Sequence, residues 1–305
     1  AMLICDTHAD TLWAMAAGKP EPLDITAEML TATPDVRVQA LALFVCTGGM
    51  ECRTTIVEQE LAVFETLKGQ GFHQVTDPSQ ALPGVPNVML TIEGGEAFGN
   101  DAASVERFAR LGVRAAAITW NHENLLASPA KAGSDAGLKP FGRQVVDRMR
   151  RVGIAVDISH LNRRGASEVM DSDIPPMASH SCAYGLCRHF RNLTDQQLRA
   201  LFRAGSYVGV NFYPHFLSED GKADLNRVVD HMAYMCDLGG EDSVGFGSDF
   251  DGIEVWPEGL HNAGDVPALL ATMRRRGFSE TLVEKIAGLN FQRYLQRLDA
   301  KTPRG

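Results

Sequence analysis

The sequence predicts a (β/α)8 barrel of the TIM type, formed by residues 1–305 as a single domain with extra helices at the C-terminal end. Eight short apolar segments mostly alternate with helical patterns, as expected of parallel strands joined by helices. Polar residues, chiefly His, Asp and Glu, follow most of these segments, and a barrel gathers all strand ends around one mouth. An open doubly wound sheet, the main alternative, would spread the same residues along an edge.

The individual elements follow from hydrophobic patterning, taken in chain order. The first strand begins at Leu3, and segment 39–45 is continuously apolar, which is typical of a parallel strand covered on both faces. The helix at 54–68 places Val57, Leu61 and Phe64 on one stripe. The remaining strands are predicted at 88–92, 115–119, 154–158, 177–179, 207–210 and 244–247, and the remaining helices at 104–110, 141–152, 162–170, 194–203, 225–238, 265–275 and 280–298.

Charge and composition argue against several classes of function. The formal net charge is -9 and the pI is near 5.5, whereas a nucleic-acid-binding surface needs an excess of positive charge. No apolar run reaches the roughly 18 residues of a membrane span, and no signal-peptide pattern precedes the first strand. We therefore expect a cytoplasmic protein without nucleic-acid or membrane partners. The six cysteines form no Cys-x-x-Cys pair and are expected to be reduced thiols.

The first strand runs directly into a candidate metal-binding motif. Asp6, His8 and Asp10 project from one face if the backbone stays extended. Imidazole nitrogen and carboxylate oxygen are both zinc ligands, and residues two apart can reach one ion together. Alone, this pattern is more typical of a polar strand end than of a metal site.

The hypothesis of a metal site is strengthened by three residues that follow other predicted strands, namely Glu93, His160 and His180. The combined set has three imidazoles and two carboxylates, namely His8, Asp10, Glu93, His160 and His180. These residue types suit a pair of zinc-like ions. Two metals about 3.5–4 Å apart can hold a hydroxide between them and polarise a carbonyl, and so hydrolyse amides or esters.

Glycine patterns favour this chemistry over two others. The pair Gly94–Gly95 is expected to let the backbone turn close to the metals, where a Cβ would crowd them. No Gly-x-Ser-x-Gly elbow is present, which argues against a serine hydrolase. Carboxylates follow segment 245–247 where a nucleotide phosphate would have to lie, which argues against a nucleotide site.

Seven segments, spread in order over nearly the whole chain, carry a family resemblance. They are DTHAD at 6–10, IEGG at 92–95, DISH at 157–160, SHSCAY at 179–184, RN at 191–192, VNFY at 210–213 and GFGSDFDG at 245–252. Together they resemble the renal (membrane) dipeptidase family, which consists of binuclear zinc dipeptidases on a barrel related to the amidohydrolases.

The resemblance implies a role for each matching residue. His8 and Asp10 would hold one of two Zn²⁺ ions per chain, His160 and His180 the other, and Glu93 would bridge them. A hydroxide bridging the metals would attack the peptide bond of a free dipeptide.

Outside the ligand set, the resemblance makes Asp249 the proton shuttle between the attacking water and the leaving amine. Arg191 would bind the C-terminal carboxylate of the dipeptide, a task suited to the guanidinium fork. Asn211 and Tyr213 match positions beside the substrate, and Asp251 is expected to be a structural neighbour.

Two positions depart from the family pattern. Trp120 occupies the place of a histidine that helps to polarise the scissile carbonyl, and His122 could reach the same region if the loop is extended. Phe216 occupies the place of a tyrosine near the substrate carboxylate. Affinity or preference is therefore expected to differ from that of the mammalian enzyme.

Two other functions stay open at this point. One is an amidohydrolase acting on N-acyl amino acids or lactams, which also carry a carboxylate that Arg191 could bind. The other is a metal-binding homologue without turnover, against which the intact Asp249 argues. The resemblance also implies a homodimer.

Overall fold

Parallel strands close into a barrel in the computed structural model, which describes residues 1–45 and 50–303, with only the backbone described for 50–54. The strands of the described residues are β1 Leu3–Asp6, β2 Val36–Phe44, β3 His73–Gln74, β4 Asn87–Glu93, β5 Ala115–Ala117, β6 Ala155–Asp157, β7 Met177–Ala178, β8 Tyr207–Val210 and β9 Val244–Phe246.

Eight of these strands form the closed barrel in the order β2-β1-β9-β8-β7-β6-β5-β4, and every pairing is parallel. The circle closes between β2 and β4, which pair from Val38↔Asn87 to Phe44↔Glu93. Within the described ranges, the short β3 pairs with β4 alone and lies outside the barrel. The predicted barrel is therefore confirmed.

Helices cover the outside of the barrel and connect its strands. Their bounds are α1 Thr11–Ala16, α2 Ala27–Thr31, α3 Met50–Gly69, α4 Ser104–Arg110, α5 Pro140–Val152, α6 Arg163–Met170, α7 Asp195–Ala204, α8 Pro214–Leu217, α9 Leu225–Met235, α10 Val266–Arg275, α11 Glu280–Glu284 and α12 Asn290–Lys301. Thr194 caps α7 through its side chain, in a reciprocal capping box with Gln197.

The last helix closes the amino end of the barrel. Phe291, Tyr294, Leu295 and Leu298 of α12 pack against residues at or near the strand starts, among them Cys5, Val38, Met89, Ala115, Ala155, Met177 and Tyr207. The Tyr294 hydroxyl donates to the Pro175 carbonyl at 2.8 Å, so its buried polar atom is satisfied. With one end plugged, the carboxyl ends of the strands are the end at which side chains can form a mouth.

Two expectations from composition concern the chain as a whole. Among the described residues, no helix combines the length and apolar character needed to cross a membrane. Cys5, Cys182, Cys187 and Cys236 are free cysteines. The side chains of Cys46 and Cys52 lie outside the described part of the chain.

Candidate metal centre and active site

The five predicted ligands converge at the carboxyl end of the barrel. Glu93 is the last residue of β4, while His8 and Asp10 follow β1, His160 follows β6, and His180 follows β7. All five side chains are buried. Because parallel strands of a barrel end on one side, residues that are far apart in the chain meet here.

Glu93 lies at the centre of this cluster. Its Oε2 atom is 3.3 Å from His8 Nε2, 3.1 Å from His160 Nε2 and 3.0 Å from His180 Nε2. The Nε2 atoms of His160 and His180 are 3.1 Å apart, and the rings of His8 and His180 stack with centroids 3.7 Å apart. A tetrahedral zinc with bonds of about 2.0–2.2 Å holds its ligand atoms roughly 3.3–3.6 Å apart. The observed spacing is close to that of a coordination shell.

Asp10 and Asp249 extend the cluster on the side of His8. Asp10 Oδ2 and Asp249 Oδ1 lie 3.4 Å and 3.5 Å from His8 Nε2. Asp10 Oδ1 is buried without a hydrogen-bond partner among the described residues. Two ligand sets, His8–Glu93–His180 and His8–Asp10–Asp249, each have their ligand atoms within 4.8 Å of one another. Asp249 is thus close enough to touch a cation as well as a substrate.

The buried carboxylates and imidazoles of this cluster favour the binding of cations. Burial raises the pKa of Glu93 well above its usual range, and the nearby Asp10 raises it further. Burial raises the pKa of Asp249 to about 7 against the opposing effect of His8. Burial lowers the pKa of His160 and of His180, which keeps both imidazoles in the neutral form that binds metals. Against the opposing effect of burial, the negative charges of Glu93 and Asp10 raise the pKa of His8 well above its usual value when no cation is bound. The carboxylates, the neutral imidazoles of His160 and His180 and the orphaned Asp10 oxygen fit a zinc-type site, in which a cation would replace the proton on His8.

Hydrogen bonds on the far side of two imidazoles orient them. Asn121 Oδ1 lies 3.0 Å from His160 Nδ1, and Ser179 Oγ lies 2.7 Å from His180 Nδ1. Asp157 accepts hydrogen bonds from both the hydroxyl and the backbone N–H of Ser179. With Nδ1 engaged, each Nε2 is left to face the cluster, and the partners make the imidazole a stronger ligand.

Strained backbone surrounds the cluster. His160, Asp249 and Asp251 have φ of 70°, 66° and 63°, in the left-handed region where a residue with a Cβ costs about 1–2 kcal/mol. A Cβ on Gly252 would lie 2.1 Å from Asp10 Oδ2 and 2.8 Å from Asp249 Oδ1. The loop after β9 therefore passes so close to the carboxylates that only glycine fits at 252.

Two further aspartates anchor this loop. Asp6 accepts hydrogen bonds from the backbone N–H and the hydroxyl of Ser248 at 2.9 and 2.5 Å. Asp251 accepts from the Thr11 hydroxyl and the Asp24 backbone N–H, both at 2.7 Å. Both carboxylates hold backbone in place.

The Gly94–Gly95 pair fits the structure for a reason other than the one expected. A Cβ on Gly94, which has φ of 108°, would lie 2.1 Å from the Val45 carbonyl oxygen. A Cβ on Gly95 would lie 2.5 Å from the Ile118 carbonyl oxygen. The glycines therefore make room for the backbone that follows β2 and β5, and the expectation that they make room for the metals is corrected.

A cavity of about 290 Å³ opens above the cluster. Its lining combines cluster residues with aromatic and loop residues, namely Asp10, Glu93, Asn121, His160, Asp249 and Gly252, then Trp13, Phe44 and Trp120, then Tyr213, Phe216, Ile253 and Glu254. A larger cavity of about 380 Å³ between α6 and α7 contains none of the ligand residues. The chemistry therefore assigns the smaller cavity to the site.

Arg191 is buried behind the lining of this cavity. Its Nη2 donates to the His180 carbonyl at 2.8 Å, and its guanidinium lies 5.1 Å from the centre of the Phe216 ring. Its Nε has no hydrogen-bond partner among the described residues. A buried guanidinium with an unused donor is suited to binding an anion that passes Phe216.

Asn211 and Tyr213 stand on the same side of the mouth. Asn211 Nδ2 donates to Asp249 Oδ2 at 3.1 Å, so it holds one oxygen of that carboxylate. Tyr213 lines the cavity, and its hydroxyl donates to the exposed Glu254. Asn211 thus acts on Asp249, whereas Tyr213 faces the space a substrate would fill.

The sequence profile of the membrane dipeptidase family, peptidase family M19, matches residues 1–303. The chain belongs to the membrane dipeptidase family. The resemblance drawn from the seven segments is thereby confirmed.

The chain is similar to proteins of both bacteria and fungi. A Klebsiella pneumoniae protein described as "Uncharacterized protein in pqqA 5'region" is 34% identical over 218 residues, which are 68% of this chain and 80% of that protein. Dipeptidase tcpJ of Claviceps purpurea is 35% identical over 215 residues, which are 69% of this chain. The match covers 51% of the fungal protein, about half its length.

Solved structures support the same family. A metallopeptidase from Rhodobacter sphaeroides, liganded with a phosphinate mimic of the dipeptide L-Ala-D-Ala, matches with a TM-score of 0.89 and 25% identity over 97% of this chain and 99% of that chain. A metallopeptidase of family M19, dipeptidase AC, matches with a TM-score of 0.89 and 26% identity over 97% of this chain and 98% of that chain. An amidohydrolase from Pseudomonas aeruginosa, at 23% identity and a TM-score of 0.81, shares the fold.

The two positions expected to depart from the family pattern, Trp120 and Phe216, both line the cavity. Trp120 lines it, whereas His122 is exposed and its ring centre lies 5.5 Å from that of Trp120. The structure therefore does not bring His122 together with the other predicted site residues. Phe216 lines the cavity between Tyr213 and Arg191, with ring centres 4.9 Å apart for Phe216 and Tyr213.

Several residues that line the site were not singled out from the sequence. Asn121, Trp13, Phe44 and Glu254 all line the cavity, and Asn121 also holds His160. Asn121 immediately follows Trp120 at a strand end, and this position is the signal that could have pointed to it. Trp13 lies in a short helix, α1, that hydrophobic patterning does not predict.

Proposed function

We propose that this chain is a zinc dipeptidase that binds two Zn²⁺ ions and hydrolyses the peptide bond of free dipeptides. The observation that carries the proposal is the approach of three imidazole Nε2 atoms to within 3.3 Å of one oxygen of Glu93. Family membership and the likeness to a metallopeptidase liganded with a dipeptide mimic support it.

We assign the ligands to two sets that share Glu93, following the family resemblance, whereas the atom spacing alone also groups His8 with Glu93 and His180. His8 and Asp10 would hold one ion, and His160 and His180 the other. When bound, the two ions would activate a water molecule for attack and polarise the scissile carbonyl. The remaining steps belong to side chains of the protein.

We assign the transfer of the proton to Asp249. It would accept a proton from the attacking water and deliver it to the amine nitrogen as the carbon–nitrogen bond breaks. Asn211 holds Asp249 Oδ2 at 3.1 Å, which fixes the orientation of the carboxyl group. Burial raises the pKa of Asp249, which favours uptake of a proton, and bound cations would oppose this shift.

Arg191 would bind the substrate carboxylate, and removing it tests this role. In Arg191→Ala, kcat/KM for free dipeptides is expected to fall about 100-fold, because a charge-assisted, two-pronged contact is lost. C-terminal amides of the same dipeptides should lose less than about threefold, because they have no carboxylate to bind. Equal losses for the free dipeptides and their amides would refute the role of Arg191 as a carboxylate clamp. Arg191→Lys keeps the positive charge without the guanidinium fork, and its kcat/KM for free dipeptides should lie between those of the unmodified protein and Arg191→Ala.

Metal content and a substrate panel test the proposal as a whole. Zinc-replete protein should carry about two zinc equivalents per chain, and a chelator should abolish hydrolysis. The panel would contain L,L and L,D dipeptides, N-acyl amino acids and a lactam. Absence of bound transition metal under zinc-replete conditions would refute the metal centre. Turnover of N-acyl amino acids or the lactam without dipeptides would favour the amidohydrolase alternative.

A further inference from the structure

One side of the cavity is a continuous wall of aromatic rings, formed by Trp13, Phe44 and Trp120. Trp13 lies in α1, Phe44 ends β2, and Trp120 follows β5. The ring centres of Trp13 and Phe44 are 5.8 Å apart at 80°, and those of Phe44 and Trp120 are 5.0 Å apart at 82°. Such edge-to-face contacts fix each ring relative to the next.

Two charged side chains among the described residues, Lys19 and Glu60, lie next to this aromatic wall. Lys19 Nζ lies 4.3 Å from the centre of the Trp13 ring and donates to the Asp251 carbonyl at 3.0 Å. Glu60 Oε1 accepts the Phe44 backbone N–H at 3.1 Å, while Glu60 Oε2 is buried without a hydrogen-bond partner among the described residues. Neither Lys19 nor Glu60 lines the cavity. Among the described residues, the side chains that form the wall are therefore apolar apart from the two indole N–H groups, and the exposed His122 ring lies at the Trp120 end with its centre 5.5 Å away.

The barrel order places the predicted carboxylate clamp away from this wall. The wall rises from β1, β2 and β5, which with β4 form one half of the circle. Arg191, Tyr213 and Phe216 follow β7 and β8, in the other half. A dipeptide whose carboxylate reaches Arg191 and whose scissile carbonyl lies at the metal ligands must extend its N-terminal residue toward the wall.

We propose that the aromatic wall is the subsite for the side chain of the dipeptide's N-terminal residue, and that it selects bulky apolar or aromatic side chains. This proposal rests on the proposed function. A large ring or branched aliphatic group would displace water from three ring faces or edges at once, whereas glycine or alanine would leave much of the wall in contact with water. Because the rings are already fixed by one another, little side-chain ordering would oppose binding.

Steady-state kinetics of zinc-loaded protein on Phe-Ala, Gly-Ala and Ala-Phe test this subsite. The unmodified protein should show kcat/KM about tenfold or more higher for Phe-Ala than for Gly-Ala. Trp120→Ala should lower kcat/KM for Phe-Ala about tenfold and for Gly-Ala and Ala-Phe less than about threefold. Trp120→Phe keeps an apolar ring and should retain the preference, and Leu82→Ala, an exposed apolar residue that does not line the cavity, should change none of the values. A larger loss for Ala-Phe than for Phe-Ala, or uniform losses, would overturn the subsite.

A binding measurement separates failure of the subsite from failure of the proposed function. If no dipeptide is cleaved, the proposed function fails. The subsite is then decided by calorimetric binding of Phe-Ala and Gly-Ala to the zinc-loaded Asp249→Asn variant. The proposed subsite would be supported if Phe-Ala binds about tenfold more tightly than Gly-Ala and if this difference disappears when Trp120→Ala is added. Equal affinities, including no binding of either dipeptide, would overturn it.

Discussion

Asp249→Asn is expected to lower kcat about 10²–10⁴-fold while the protein keeps its zinc. Asparagine cannot carry the proton, but it has the same shape and can still accept the hydrogen bond that Asn211 Nδ2 donates at 3.1 Å. Asparagine also tolerates the left-handed backbone at φ 66° better than most residues. Steady-state kinetics and metal analysis of the same preparation give the two readouts.

Asp251→Asn provides the matched control for this variant. Asp251 has φ of 63°, two residues further along the same loop, but its oxygens hold Thr11 and Asp24. Asp251→Asn should lower the Tm, because its side-chain N–H₂ would face the donor group of either Thr11 or Asp24. Its kcat should stay within a few-fold of that of the unmodified protein. Loss of both metals in Asp249→Asn would show that Asp249 is chiefly a structural or ligating residue. Unchanged kcat would show that it carries no proton.

Glu93→Gln is expected to reduce bound zinc to about one equivalent or less per chain and to lower kcat/KM at least about 100-fold. Glutamine keeps the volume of the side chain but removes the negative charge, toward which His8, His160 and His180 all point from 3.3 Å or less. A neutral amide can offer one oxygen but cannot serve two cations as a carboxylate does. Metal analysis after dialysis and kinetics at fixed free zinc measure both effects.

Glu96→Gln is the corresponding control. Glu96 is partly buried three residues later, where its Oε2 accepts from Asn124 Nδ2 at 3.2 Å. The same substitution there should leave zinc content and kcat/KM within about twofold, because an amide oxygen can still accept that hydrogen bond. Full zinc content and activity in Glu93→Gln would refute the shared ligand.

The regular part of the barrel could be predicted because its strands and helices have clear hydrophobic periods. The strand at 207–210 and the helix at 104–110 match the structure at both ends. The strand predicted at 115–119 ends earlier, at Ala117, because Ile118 and Thr119 are buried beyond the last strand pairing. An apolar stretch of sequence indicates which residues are buried. How many of them form a β-strand depends on how far the neighbouring strands extend beside them.

Short or interrupted elements could not be predicted from the sequence. β3 has two residues and α1 has six, too few to show a period. The helix predicted at 280–298 is broken by a π-helical turn at Lys285–Leu289. A Cβ on Gly288 in that turn would lie 2.5 Å from the Leu3 carbonyl oxygen, so the helix is shaped by close packing on β1.

The candidate site was predictable in residue type and unpredictable in orientation. Imidazoles and carboxylates at strand ends indicate a metal centre through their chemistry and their position along the chain. The contact of His160 with Asn121 and the approach of Asp249 to His8 depend on left-handed backbone at positions 160 and 249, for which neither residue type is diagnostic. Which ring of a loop turns toward the cavity, as Trp120 does and His122 does not, is likewise set by the folded loop.

The left-handed residues at 160 and 249 imply an opposition between backbone strain and turnover. Each carries a Cβ at a φ that glycine adopts without strain, so glycine there would relieve about 1 kcal/mol of backbone strain. At His160 and Asp249 the relief would also remove a side chain that the proposed chemistry needs. The backbone strain at these two positions is therefore retained together with the side chains on which the proposed chemistry depends.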